Sequence, residues 1–309
     1  MRSRGVLDCA RVGSRALLAL IALIALFAVA GCATSDRSPI EPSPSQPLEA
    51  DLGDWRIQIA PEAMLFVSSR VSAENARPDL LIHFHGWFPS VQREFVASGR
   101  GDVLLVVNFS GLSAAYEKPM SEPRRFERLV ASALEALTLR ARVPDDASWN
   151  RISLTSFSAG YGAIRALLRD PAWAMRMSGI GLADSLYAGY LDGDPPRRVN
   201  AANIDVFIEF ARRATRGETA FFYSHCYLEP GKYAGTHETA NELIRALSLA
   251  RREADFRLPD PATGTLHVTS IVEQGRLRIL GCEGKSGDDH GQHLRHLRVV
   301  FSNLASLEA

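Results

Sequence analysis

The segment TSFSAGYGA, Thr155 to Ala163, sets two serines, Ser156 and Ser158, among glycines and alanines. Small residues let a helix pack closely, and they also let one serine stand exposed on a sharp turn. A serine hydroxyl is a poor nucleophile until a base takes its proton, and that base needs an orienting partner. Candidates for both follow short apolar runs. DLLIHF leads into His85-Gly86-Trp87, RISLTSF into Ser158, and SGIGLAD ends on Asp184. TAFFYSHC contains His225, and EGKSGDDHGQH holds His290 beyond the last such run.

The elements that must position these groups are legible as alternating runs. WRIQIA and AMLFVSS alternate apolar and polar residues, as half-buried antiparallel strands do. DLLIHF and DVLLVVNF are continuous apolar runs suited to strands buried on both faces. Between Ser121 and Leu139, Phe126, Leu129, Val130, Ala133 and Leu137 share one helical face. Strand-like RISLTSF, SGIGLAD and TAFFYSHC then alternate with helical AGYGAIRALLRD and DVFIEFARRAT. Thr239 to Glu242 has capping-box spacing and announces the next helix. TLHVTSIVEQGRLRILGC reads as one or two strands turning near Gln274-Gly275, before a last helix with Leu294, Leu297, Phe301 and Leu304 inside. Such alternation implies an α/β domain over residues 54–309. Its mostly parallel sheet is covered on both faces and has antiparallel strands at its N-terminal edge. In such sheets functional groups collect at the carboxyl ends of strands, where Ser158 and its candidate partners fall.

Over about Asp54 to the C-terminus, this arrangement resembles the α/β-hydrolase superfamily. Its nucleophile elbow is small-x-Ser-x-Gly, and Ser156-Phe157-Ser158-Ala159-Gly160 fits with serine in the first small position. The serine takes a strained strand-to-helix turn, so its neighbours two residues away must be small. The resemblance implies an α/β-hydrolase-type three-layer sandwich with Ser158 as nucleophile and Ser156 as packing. His290 is then the base, with His293, expected at the helix surface, as its understudy. Asp184 is the orienting acid, one strand earlier than the family's usual place, with Glu229 as the alternative. The backbone N–H groups of Ala159 and Trp87 would hold the oxyanion. His85, Tyr187 and Tyr190 would line the pocket, and the loop after Asp184 would form a lid or pocket wall. The implied reaction is hydrolysis of a carboxylic ester in a small-molecule or acylated substrate, with no cofactor and no metal.

Cys226 and Cys282 end consecutive core strands, and both a bridge bracing the His290 loop and two free thiols are open readings. Histidine placement also allows a zinc site. His83 and His85 form an H-x-H on one strand, expected to face one way, with His225, His290, His293 and His296 as further donors. A third reading is a non-catalytic binding lipoprotein on a hydrolase fold.

The N-terminus carries its own signal. Arg2, Arg4, Arg11 and Arg15 precede the fifteen apolar residues Ala16 to Ala30. That run is shorter than the ~20 residues of a membrane span and fits a secretory leader. It ends in VAGC, which resembles the bacterial lipobox, so residues 1–31 are expected to be removed and Cys32 lipidated. Ala33 after the cysteine points by the same resemblance to an outer-membrane anchor facing the periplasm. Residues 32–53, rich in proline and serine, read as a semi-rigid tether. A formal charge of zero over 309 residues gives no basic footprint for nucleic acid.

Overall fold

The computed structural model describes residues 56–191, 197–260 and 264–305. All belong to the C-terminal of two units, Pro47–Ala309. The expected leader, Cys32 and tether lie outside the described residues. No helix among the described residues is long and apolar enough to cross a membrane.

Ten strands form one sheet: β1 (Arg56–Ala60), β2 (Ala63–Val67), β3 (Leu80–Phe84), β4 (Val103–Val107), β5 (Ile152–Phe157), β6 (Met177–Ala183), β7 (Ala220–His225), β8 (Arg252–Asp260), β9 (Gly264–Gln274) and β10 (Leu277–Cys282). Their order is β1-β2-β4-β3-β5-β6-β7-β10-β9-β8. From β4 to β10 every neighbour is parallel, while β1 and β2 run antiparallel at one edge. The fold is thus an α/β sandwich of α/β-hydrolase type with the expected antiparallel N-terminal edge. A second antiparallel edge, β9 and β8, closes the other side. In β8, READFRLPD spaces charged residues along the strand, which suits an edge but hides its apolar periodicity.

Continuous apolar strands serve both faces by alternation. In β4, Val103, Leu105 and Val107 enter one core, and Leu104 and Val106 the other. The first core packs against α2 (Ser113–Met120), α3 (Arg125–Thr138), α4 (Tyr161–Leu168), α6 (Asp205–Thr215) and α7 (Thr236–Ala246). A short helix, α5 (Pro171–Arg176), stands between α4 and β6 in sequence. The second core packs against α1 (Phe88–Ala97) and α9 (Leu297–Asn303), with α8 (Gly287–Arg295) directly before α9. The closing helix is therefore two helices. The backbone departs from helical values at His296, whose ring Nδ1 bonds the Gln292 carbonyl at 2.9 Å.

Candidate active site

β5 delivers Ser158 to a left-handed turn, with φ 47°, at the start of a single 3-10 turn leading into α4. Such a conformation costs a non-glycine residue about 1–3 kcal/mol and persists only where its surroundings enforce it. Two of those surroundings are clear. At Gly160, a Cβ would lie 2.2 Å from the Phe84 carbonyl oxygen, so the elbow passes against the backbone of β3. Below it, the buried Ser185 donates its hydroxyl proton to the Ser158 carbonyl at 2.7 Å. That leaves Ser156 to donate to Ser185 Oγ at 2.8 Å. Ser156 is therefore more than a small residue; it is the first link of a brace under the turn.

Asp184 follows β6 with φ 40° and no solvent exposure. Its carboxylate collects four donors. Oδ1 accepts the Cys226 backbone N–H at 2.9 Å and the Thr236 hydroxyl, and Oδ2 accepts the Cys226 thiol at 3.0 Å. The fourth is His290 Nδ1, 2.6 Å from Oδ2. Burial pushes the Asp184 carboxyl up, but His293, His290 and the Cys226 thiol outweigh it and hold the carboxyl well below the usual range. An ionised carboxylate only accepts, so Nδ1 of His290 carries its proton and Nε2 is left as an acceptor. The imidazole also stacks on Phe157, the residue before Ser158, with ring centroids 4.5 Å apart. The alternative acid, Glu229, is exposed.

His293 is buried, contrary to the expected surface place. Its Nδ1 meets Ser224 Oγ at 2.8 Å, and burial lowers its pKa to about 4. It sits there because α8 lays its inner face over β7, bringing His290 and His293 both to Asp184. Cys226 and Cys282 are free, buried thiols rather than a bridge. The Cys226 thiol is turned to the Asp184 carboxylate, whereas Cys282 packs into the second core. Burial and the Asp184 charge push both thiols well up, so they stay protonated.

The H-x-H pair does not face one way. β3 ends at Phe84, and the left-handed φ of 72° at His85 breaks the strand alternation. His83 lies edge-on to Phe301 of α9, while His85 meets Tyr116 of α2. Both His83 ring nitrogens are engaged, with Thr155 Oγ1 at 2.9 Å and the His85 carbonyl at 3.0 Å. Among the described residues, the group whose ligand atoms converge within 4.8 Å is instead Asp184, Cys226 and His293. The three are held by the hydrogen bonds just given.

In the loop after β3, Asn108 brackets the Gly86 residue. Its Oδ1 accepts the Gly86 N–H at 2.9 Å, and its Nδ2 donates to the Gly86 carbonyl at 2.7 Å. With that N–H taken, the next amide in the loop belongs to Trp87, an exposed residue at the start of α1. Ala159 follows Ser158 within the elbow and is buried. Tyr187 adjoins Asp184 and continues an aromatic row, 5.8 Å from Tyr161 and 5.6 Å from Tyr233. Tyr190 is instead tied to Glu238 of α7, donating at 2.9 Å. The loop after Asp184 is pinned by bridges from Ala188 to Ala234 and from Tyr190 to Val199. Residues 192–196 of this loop lie outside the described residues.

Ser185, Thr236, Asn108 and Tyr116 were not identified from the sequence. Each acts through hydrogen bonds at loop ends, and no periodicity or spacing marks such bonds.

No protein-family model and no curated protein matches this chain. Among solved structures it is similar to a siderophore hydrolase from Aspergillus nidulans, with 13% identity and a TM-score of 0.45, over 89% of this chain and 100% of that one. It is also similar to esterase 2 of Thermogutta terrifontis, with 14% identity and a TM-score of 0.39, over 79% and 91% of the two chains. A feruloyl esterase module from Clostridium thermocellum shares 10% identity over 80% and 85%, with a TM-score of 0.42.

Proposed function

We propose that this protein is a serine hydrolase of carboxylic esters, with Ser158 as nucleophile, His290 as general base and Asp184 as the acid that orients it. The observation that carries the reading is the 2.6 Å bond from His290 Nδ1 to a fully buried carboxylate, at the strand edge where Ser158 sits on its strained turn. His290 Nε2 takes the Ser158 hydroxyl proton as Oγ attacks the ester carbonyl carbon. The resulting oxyanion is met by the N–H groups of Ala159 and Trp87. Collapse expels the alkoxide, which leaves as an alcohol with the proton from His290, and the acyl group stays on Ser158. Water, deprotonated by the same histidine, repeats the attack, releases the carboxylic acid and restores the serine.

The test is turnover of p-nitrophenyl esters of graded chain length by the full-length protein. Ser158→Ala should abolish both turnover and covalent labelling by a fluorophosphonate. Asp184→Asn should keep labelling detectable and lower kcat by roughly 10⁴-fold, through the wrong imidazole tautomer. Wild type that neither labels nor turns over esters, or a label that persists in Ser158→Ala, would overturn the proposal.

A further inference from the structure

His85 is a strained residue that the reaction above leaves unused. At φ 72° it occupies a conformation that glycine or asparagine adopts at less cost, yet the chain keeps a histidine there. Its ring is half-buried and lies near parallel to Phe157, centroids 5.9 Å apart, while Phe157 also carries His290. The imidazole therefore belongs to the same ring cluster as the base, beside the residue that precedes Ser158.

Its hydrogen bonding fixes which nitrogen carries the proton. Nδ1 of His85 lies 2.7 Å from the hydroxyl of Tyr116. That hydroxyl oxygen already accepts the Phe109 N–H at 3.2 Å. The phenol stays protonated, because burial raises its pKa to about 12. Among the described residues its proton has one acceptor, His85 Nδ1. The imidazole must then hold its own proton on Nε2. That atom has no hydrogen-bond partner among the described residues, and it is not among the polar atoms sealed from solvent.

We propose that His85 is a side-chain oxyanion donor, presenting Nε2–H to the oxygen that gains negative charge when Ser158 attacks a carbonyl. The assignment rests on the serine-hydrolase reading above and adds a third donor to its two backbone ones. A neutral imidazole suits this place better than a charged one, since an imidazolium would repel the charge that His290 acquires. Burial first, and the neighbouring His290 second, lower the His85 pKa to about 4, so the donor keeps its proton and gains no second one near neutrality. The ring neither gains nor loses a proton during turnover; it is a dipole set in place before the charge develops.

Two variants separate this role from packing. His85→Phe keeps a ring on Phe157 and removes the donor, whereas His85→Asn tolerates the backbone but is too short to reach. With p-nitrophenyl butyrate, both should lose about 10²-fold in kcat with little change in KM. Affinity for phenylboronic acid, which becomes tetrahedral on Ser158, should fall by a similar factor, while inhibition by planar butyrate should hold. Tyr116→Phe, which frees the tautomer, should cost about tenfold in wild type and nothing further in His85→Phe.

Values of kcat and boronate affinity within about threefold of wild type would overturn the assignment. So would a loss shared equally by butyrate binding and thermal stability, or a Tyr116→Phe effect undiminished in His85→Phe. Fluorophosphonate labelling of the wild type separates the two levels. An unlabelled wild type removes the serine mechanism and this donor with it. A labelled wild type beside an unimpaired His85→Phe removes the donor alone.

Discussion

The Ser158 carbonyl, as well as its hydroxyl, explains why this turn can be held. A residue at φ 47° relaxes unless something on its carbonyl side resists, and the Ser156–Ser185–Ser158 chain supplies that resistance. Ser185→Ala removes the middle link and leaves a buried hydroxyl and a carbonyl without partners. The expected cost is about 1–3 kcal/mol of stability, read from urea unfolding, with kcat falling more than KM rises. Ser156→Ala deletes only the outer link and should cost less; an equal or larger loss there would refute the chain. Sequence reading reached the residue types at strand ends, because Ser158, Asp184 and His290 carry chemistry in their side chains. It assigned Ser156 to volume alone, because the partner serine 29 positions away is brought near only by the β5–β6 pairing.

At the scale of elements, the strand-to-helix turn depends on how closely α4 approaches β3. A methyl group at position 160 would lie 2.2 Å from the Phe84 carbonyl oxygen, and backbone cannot step aside as a flexible side chain would. Gly160→Ala should therefore destabilise the fold by about 3 kcal/mol or more, seen as a lowered urea midpoint with an unchanged slope. A midpoint within error of wild type would show that the elbow is looser than this geometry implies. The core strands were legible because they are apolar runs bounded by turn residues. α1 and α2 were not, since each is short and carries a proline, at the helix start in α1 and inside α2. The α7 start was read at Thr239, whereas the helix begins at Thr236, with Glu238 reaching back to the Gly235 N–H at 2.7 Å. Thr239 is instead buried against Tyr223 and the Leu186 carbonyl, a tertiary use that mimics a cap in sequence.

Across the whole molecule, histidine burial sets how the fold responds to acid. His83, His225 and His293 are almost wholly buried, and burial lowers their pKa values to about 3, 3 and 4. Their unfolded counterparts titrate near 6.5, so below that pH the unfolded chain binds protons that the native chain refuses. Stability from these groups is complete above pH ~6.5 and is lost as pH falls toward 4, at about 1.4 kcal/mol per pH unit for each histidine. Asp184, held below the usual carboxylate range, adds a further loss as pH falls through and below that range. His267 has the opposite sign. Its bonds to Glu283 and Asp255 raise its pKa, so its small contribution is present in acid and fades as pH rises. It lies at the surface, where screening keeps it from offsetting three interior groups. Urea unfolding measured from pH 7.5 to 5 should therefore show a steep decline. His225→Gln should flatten it by about one histidine's share, because His225 Nε2 is buried without a partner and the ring, edge-on to Tyr223 and Tyr227, has a 3.4 Å contact to the Cys226 carbonyl as its one hydrogen bond among the described residues. An unchanged slope in that variant would mean that His225 is protonated in the native state, and that its burial does not govern the acid limit.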